Sequence, residues 1–261
     1  MYPVLFDLGP WPVQTYYLFW SLALTLAVLW TRKRAAGFYG LDDDFVRKLM
    51  AITMTGMFIG ARAGWILDAS PVMRQGKTLA ELLLFGGLSA AGGFWGGGLG
   101  ALVFFYRKRK WGLIAPFAES AALPAALLIV VGRIGCFMNG CCLGRPTDLP
   151  WGVLFPEVVP AVARHPVQLY YSGWCALVLA FLFCIEHRSF LWKRASGARS
   201  AVLMPLFIFL YSGGRLVLDS FRAGGPSEVG LSDTLLFTGG LALGFGWLCL
   251  SAFATLRRSN V

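Results

Sequence analysis

Fourteen residues of this chain, Gly132-Arg133-Ile134-Gly135-Cys136-Phe137-Met138-Asn139-Gly140-Cys141-Cys142-Leu143-Gly144-Arg145, hold two arginines, four glycines and three of the six cysteines. Guanidinium forks grip phosphate bidentately, and glycine lets backbone N–H groups approach an anion closely. Other ionisable residues, Arg62, Glu119, Arg215 and Asp219, also sit in strongly apolar sequence. Inside a membrane span such a group costs several kcal/mol unless it is paired or hydrated, so it marks function by default. Arg215 and Asp219 are four apart and share a helical face, where they can pair. A structural ion pair is the bland alternative for any single charge of this kind. Number argues against it: three arginines at or within spans against few acids leave positive charge over. Surplus guanidinium in a partly dry cleft suits phosphate, and in a membrane that means first a phospholipid headgroup. Glu119 falls in the cytoplasmic half of its span, solvated or paired, and is assigned no role.

The elements that must position these residues are membrane helices. The chain is 57% hydrophobic and 14% charged, with a mean hydropathy of +0.65. Its 261 residues suit one membrane-embedded domain over 1–261. The net charge of +10 falls in short clusters between apolar runs, which points to membrane topology and excludes nucleic acid as a partner. Apolar runs of about 18 or more residues lie near 14–31, 46–68, 88–106, 113–131, 166–185, 201–221 and 233–256. This predicts an all-α integral membrane protein with seven spans. The sixth run is expected to be interrupted at Ser212-Gly213-Gly214-Arg215, and Thr78–Phe85 to lie amphipathically in the interface. The clusters Arg32-Lys33-Arg34, Arg47-Lys48, Arg107-Lys108-Arg109-Lys110, Arg188 with Lys193, Arg194 and Arg199, and Arg257-Arg258 carry fifteen of the 23 Lys and Arg. All fall on one side, so the amino terminus is expected outside and the carboxyl terminus in the cytoplasm. Met1-Tyr2-Pro3-Val4 lacks the basic region of a cleaved signal peptide, so the first span should be retained. The run Gly86–Gly98 reads either as a close-packing helix face or as backbone open to an anion.

The residues Gly132–Arg145 resemble the signature of the prolipoprotein diacylglyceryl transferases, integral enzymes of the bacterial inner membrane. Five further segments match in the same order: Val13-Gln14-Thr15-Tyr16-Tyr17, Gly60-Ala61-Arg62-Ala63-Gly64-Trp65, the GGLSAAGG run, Arg164-His165-Pro166-Val167-Gln168-Leu169-Tyr170, and Tyr211-Ser212-Gly213-Gly214-Arg215 with Asp219 and Phe221-Arg222. The resemblance implies transfer of the diacylglyceryl group of phosphatidylglycerol, or a similar anionic phospholipid, to the lipobox cysteine of a preprotein or another nucleophile. Glycerol phosphate would leave. It implies catalytic roles for Arg133, Arg215, Tyr16, Tyr211 and Asp219. Substrate contacts would come from Arg62, Gly92, Gly93, Gly144, Arg145, His165 and Gln168. No cofactor and no metal is expected.

The chain departs from the family's pattern at five positions. The family has His at Ala91, Asn at Cys136, and Glu at Cys141, Tyr171 and Asp219. Alanine cannot act as a base. The three cysteines admit four readings: a disulfide, small packing residues, a metal site completed by His165, or a thiolate base activated by arginine. A covalent lipid–cysteine intermediate is disfavoured, because the thioether it forms cannot readily be displaced by a second thiol. Two rival functions stand beside the transferase. One is a phospholipid-binding or transport paralogue without catalysis; the other is a membrane thiol oxidoreductase, for which no C-x-x-C motif speaks.

Overall fold

The computed structural model describes residues 4–8, 11–68, 78, 89–156, 158, 160–188, 202–223 and 231–259. Among them, each apolar run forms a helix: α1 (Thr15–Tyr39), α2 (Asp43–Asp68), α3 (Ala90–Lys108), α4 (Ile114–Met138), α5 (Val167–Arg188), α6 (Leu203–Leu218) and α7 (Leu231–Ser259). One feature departs from the all-α expectation. A two-stranded antiparallel hairpin, β1 (Val4–Leu8) with β2 (Trp11–Gln14), leads into α1. The chain is nonetheless a helical membrane protein, with four helical stretches long and apolar enough to cross a bilayer: Asp43–Leu67, Trp111–Met138, Val167–His187 and Leu203–Phe221. The expected interfacial segment Thr78–Phe85 lies outside the described residues apart from Thr78.

Two glycine-lined seams decide how the helices meet. Gly56, Gly60 and Gly64 recur every four residues on α2, and Gly92, Gly96 and Gly100 do so on α3. The i, i+4 spacing puts each set on one face. There is no room for a side chain between them: a Cβ on Gly96 would stand 2.7 Å from the Gly60 Cα, and one on Gly64 2.8 Å from the Gly92 Cα. Small residues let backbones approach in this way where lipid gives helices no hydrophobic reason to associate. The packing reading of the Gly86–Gly98 run therefore accounts for Gly92 and Gly96. The second seam joins α1 to α4, where Gly132 receives the Trp20 ring and Gly135 receives Phe19.

Buried charge ties the bundle at the end where the basic clusters lie. Arg34 belongs to the basic cluster Arg32-Lys33-Arg34, yet α1 runs through it and buries it to 2% exposure. Its guanidinium donates to both carboxylate oxygens of Glu186 on α5, at 2.6 and 2.7 Å, and its Nε donates to the Ser120 carbonyl of α4 at 3.0 Å. Three helices are locked by one fork. Glu119 is likewise buried, and its carboxylate accepts from the backbone N–H groups of Leu203 and Met204, both at 2.9 Å. These are N–H groups at the start of α6 that have no partner within the helix, and a carboxylate there also meets the positive end of the helix dipole. Glu119 thus caps α6 from another helix, the role that its position in the sequence left blank.

The expected break in the sixth run does not occur. Helix α6 continues through Ser212-Gly213-Gly214-Arg215 and tightens only at Asp219–Phe221 into a 3₁₀ turn. The glycine at 214 is needed for packing, since the Trp174 indole of α5 occupies the space where its Cβ would stand and donates to the Leu210 carbonyl at 3.0 Å.

Gly60→Ala should cost about 2 kcal/mol or more, because the obstructing atoms are backbone and cannot swing away. Gly98→Ala, on an open face of α3, should be neutral or slightly stabilising. Thermal melting of the purified protein in detergent checks both. Glu186→Leu should cost about 3–5 kcal/mol by leaving Arg34 buried without its counterion, whereas Arg34→Met with Glu186→Leu together should cost much less. Equal melting temperatures for the single and double variants would contradict the buried pair.

Candidate active site

Arg133, Arg215 and Asp219 converge where the ends of α4 and α6 meet the start of α5, whereas Arg62, Gly92 and Gly93 lie on α2 and α3. Arg133 lies in the last turns of α4, Tyr171 in the first turns of α5, and Arg215 and Asp219 at the end of α6. The two guanidinium carbons stand over the Tyr171 ring, 4.6 Å from its centroid for Arg133 and 4.9 Å for Arg215. Arg215 also lies 4.5 Å from the Phe237 centroid on α7. The Tyr171 hydroxyl donates to Asp219 Oδ1, and Asp219 Oδ2 lies 3.2 Å from Arg215 Nε. That last contact is an ion pair by distance, but the N–H is not aligned as a hydrogen bond. Tyr171, Arg215 and Asp219 are all nearly inaccessible, at 2, 4 and 7% exposure.

The charge balance here is uneven. Asp219 neutralises Arg215, while among the described residues no carboxylate pairs with Arg133. Aromatic faces attract guanidinium through the ring quadrupole, so Tyr171 and Phe237 hold these cations without cancelling their charge. One positive charge remains available in a water-poor setting, which is what an anion-binding site requires.

Two further tyrosines border this centre. Tyr16, in the first turn of α1, packs edge-on against Tyr17 and lies within electrostatic reach of Arg133 and of Cys136, Cys141 and Cys142. Tyr211, one turn before Arg215, stacks on Phe207 and meets Phe237 edge-on, within reach of Arg133.

The connection between α4 and α5 is stitched to the chain end of α6 by backbone bonds. Arg145 N–H donates to the Phe221 carbonyl at 2.9 Å, Ala223 N–H to Leu143 at 2.9 Å, and His165 N–H to Arg145 at 3.0 Å. Gly144 sits at the crossing. A Cβ there would stand 2.8 Å from both the His165 Cβ and Val167 Cγ2, so glycine is required by close approach. Arg145 is exposed and its Nε donates to the Arg222 carbonyl at 3.3 Å. His165 Nδ1 is 3.1 Å from the Tyr170 hydroxyl, which in turn accepts from Trp151 Nε1, and its ring packs on Phe221. Gln168 is fully buried and donates to the Cys141 carbonyl at 2.5 Å. Arg62 is half-buried on α2, next to Ala61, whose carbonyl accepts from Ser89 N–H. Gly92 and Gly93 face α2, Gly92 against Gly60 and Gly64 and Gly93 against Ala61.

The three cysteines are gathered, with their Sγ atoms all within 4.8 Å of one another and none bonded to another. Hydrogen bonds from Cys136 and Cys141 hold the Cys142 thiol below its ordinary pKa, with Arg133 and Arg222 adding to the effect. The same hydrogen bonding pushes Cys141 up.

Tyr171 is the residue that sequence reasoning passed over. In the sequence it is only an aromatic where the family has Glu, yet its side chain meets Arg133, Arg215 and Asp219. The available signal was its spacing: it follows Gln168 by three and shares that residue's helical face. Ala91, on α3, is buried and carries no ionisable group.

Comparison with known proteins places the chain in a family. The family model described as prolipoprotein diacylglyceryl transferase matches residues 3–255. A phosphatidylglycerol–prolipoprotein diacylglyceryl transferase of Solidesulfovibrio magneticus is 33% identical over 268 residues, covering 97% of this chain and 89% of that protein. Proteins of the same name from Bordetella avium and Clostridium tetani are 31% and 28% identical, covering 92% and 91% of this chain and 92% of each relative. With a match from its third residue almost to its end, this chain belongs to the prolipoprotein diacylglyceryl transferase family.

Proposed function

We propose that this protein moves the diacylglyceryl group of phosphatidylglycerol onto the cysteine thiol of a prolipoprotein, at the outer face of the bacterial inner membrane. The observation that carries the reading is Arg133 and Arg215 drawn together over one buried tyrosine ring, with one carboxylate, on Arg215, for the two cations. In the reaction the acceptor sulfur forms a bond to the glycerol carbon while that carbon's bond to the phosphate oxygen breaks. The thiol proton is lost and glycerol phosphate departs. A phosphodiester monoanion becomes a phosphomonoester with a second negative charge, so the charge to be stabilised grows at the phosphate. Guanidinium groups already fixed there lower the barrier because they need not reorganise.

Within this reading Arg133 is the principal phosphate contact, having no carboxylate partner, and Arg215 shares the load while Asp219 orients it. Tyr16 and Tyr211 lie within electrostatic reach of Arg133 and would supply hydroxyls for the headgroup or the incoming thiol. Gly144, Arg145, His165 and Gln168 shape the outer rim. The proposed topology has seven spans, the amino terminus outside and the carboxyl terminus cytoplasmic. It is supported by the helices at all seven apolar runs and by the basic clusters at alternate connections. That places Arg133 and the cysteine loop at the outer end of α4.

The test is incubation of purified protein with phosphatidylglycerol and a lipobox peptide, followed by mass spectrometry for a peptide gaining one diacylglyceryl unit. Arg133→Ala should lower turnover by about a hundredfold or more while the protein still folds. Arg133→Lys should recover only part of it, since an ammonium does not reproduce the bidentate fork. Undiminished turnover in Arg133→Ala would sink the assignment.

Tyr171 gives a second, separable outcome. Tyr171→Phe keeps the ring beneath both guanidinium groups and loses only the bond to Asp219, so turnover should fall by about tenfold or less. Tyr171→Leu removes the ring and should fall about as far as Arg133→Ala, with helical content retained by circular dichroism. Equal losses in the two tyrosine variants would show that the hydroxyl, not the ring, is what matters.

A further inference from the structure

We propose that Cys136, Cys141 and Cys142 form a binding site for copper(I), held by three thiolates at the rim of the bundle. The sulfur atoms already lie within 4.8 Å of one another. Three bonds of about 2.3 Å in a trigonal plane would set them about 4 Å apart, so closure needs only small side-chain shifts.

The backbone is bent to bring them there. Neighbouring side chains on extended chain point to opposite faces, so an adjacent Cys-Cys pair would ordinarily separate its thiols. Cys142 instead adopts φ +56°, a left-handed conformation uncommon for a residue with a Cβ, and Gly140 precedes it at φ +69°. Cys141 N–H donates to the Cys136 carbonyl at 3.2 Å and closes the turn against the end of α4. From outside, the buried Gln168 amide fixes the Cys141 carbonyl. An unfavourable backbone conformation, over-determined by its surroundings, thus points two consecutive thiols at a third.

The donor set selects the ion. It contains three soft sulfurs, and among the described residues no histidine or carboxylate joins them; the His165 Nδ1 is engaged by Tyr170. Structural zinc takes four protein ligands, whereas soft copper(I) is satisfied by three thiolates, so a set of three sulfurs with no fourth donor among the described residues fits copper(I) better. Charge fits as well. Three thiols would release three protons to solvent on binding one copper(I), with no change in oxidation state, and leave a complex of charge −2. Arg222, which the phosphate contact does not use, lies within electrostatic reach of Cys142 and offsets part of it.

The experiment uses the full chain purified in detergent under argon and titrated with tetrakis(acetonitrile)copper(I) against a chromogenic copper(I) chelator. One copper should be retained per chain, with a near-ultraviolet thiolate-to-copper absorption band. Peptide mass spectrometry after maleimide treatment should show Cys141 and Cys142, the two partly exposed thiols of the three, protected by copper and labelled without it. Cys142→Ser should weaken retention by at least about a hundredfold, and a variant lacking all three cysteines should retain none. Cys184→Ser with Cys249→Ser, which alters only exposed thiols elsewhere, should bind as before. The single variant decides the matter if the triple one does not fold. Failure to retain copper, retention undiminished in Cys142→Ser, or a disulfide among the three in protein isolated under argon would each overturn the proposal.

Discussion

Positive charge held within apolar helices without full neutralisation is the constraint around which this protein is arranged. A guanidinium group could be quieted by a carboxylate, as Arg34 is by Glu186. At the other centre that solution is used only once for two arginines, and the rest of the stabilisation comes from aromatic faces. The difference has a chemical meaning. A bidentate carboxylate occupies the fork that phosphate would take, whereas a ring holds the cation from its face and leaves the N–H edge free. The two buried arginine sites are therefore held in different ways, one closed by a carboxylate and one held largely by aromatic faces.

Holding such a centre requires rigid supports, and the molecule supplies them by different means at its two ends. At the end with the basic clusters, Arg34 with Glu186 and Glu119 with the start of α6 fix α1, α4, α5 and α6 through buried hydrogen bonds. At the opposite end the connection from α4 to α5 is irregular, yet its backbone is satisfied by crossing the chain after α6. Non-helical backbone at the margin of a membrane protein is tolerated only when its polar groups find partners within the protein. Gly144 marks the point where two such segments touch, so its lack of a side chain is a packing requirement.

Much was legible in the sequence because the signals are local. Apolar runs set the seven helices, since in a bilayer the helix is the only open-ended way to satisfy a chain's own hydrogen bonds. Arg215 and Asp219 could be paired from spacing alone. The four-residue recurrence of glycine on α2 and α3 already encoded their contact, because a periodic stripe of missing side chains has few other uses in a membrane. The surplus of arginine over acid could likewise be counted without coordinates.

What only the tertiary structure decided was which distant residues meet. Arg34 and Glu186 are separated by 152 positions, and nothing in the basic cluster around Arg34 distinguished it from its exposed neighbours. Glu119 capped a helix that begins 84 residues later. Tyr171 became central only when α5 placed its ring beneath one arginine from α4 and another from α6. The continuity of α6 through two glycines was also settled by a neighbour, the Trp174 indole that fills the space beside Gly214. Sequence period fixes the face that a residue occupies on its own helix. The partner across the gap depends on how helices pack, and that is decided by the fit of all of them together.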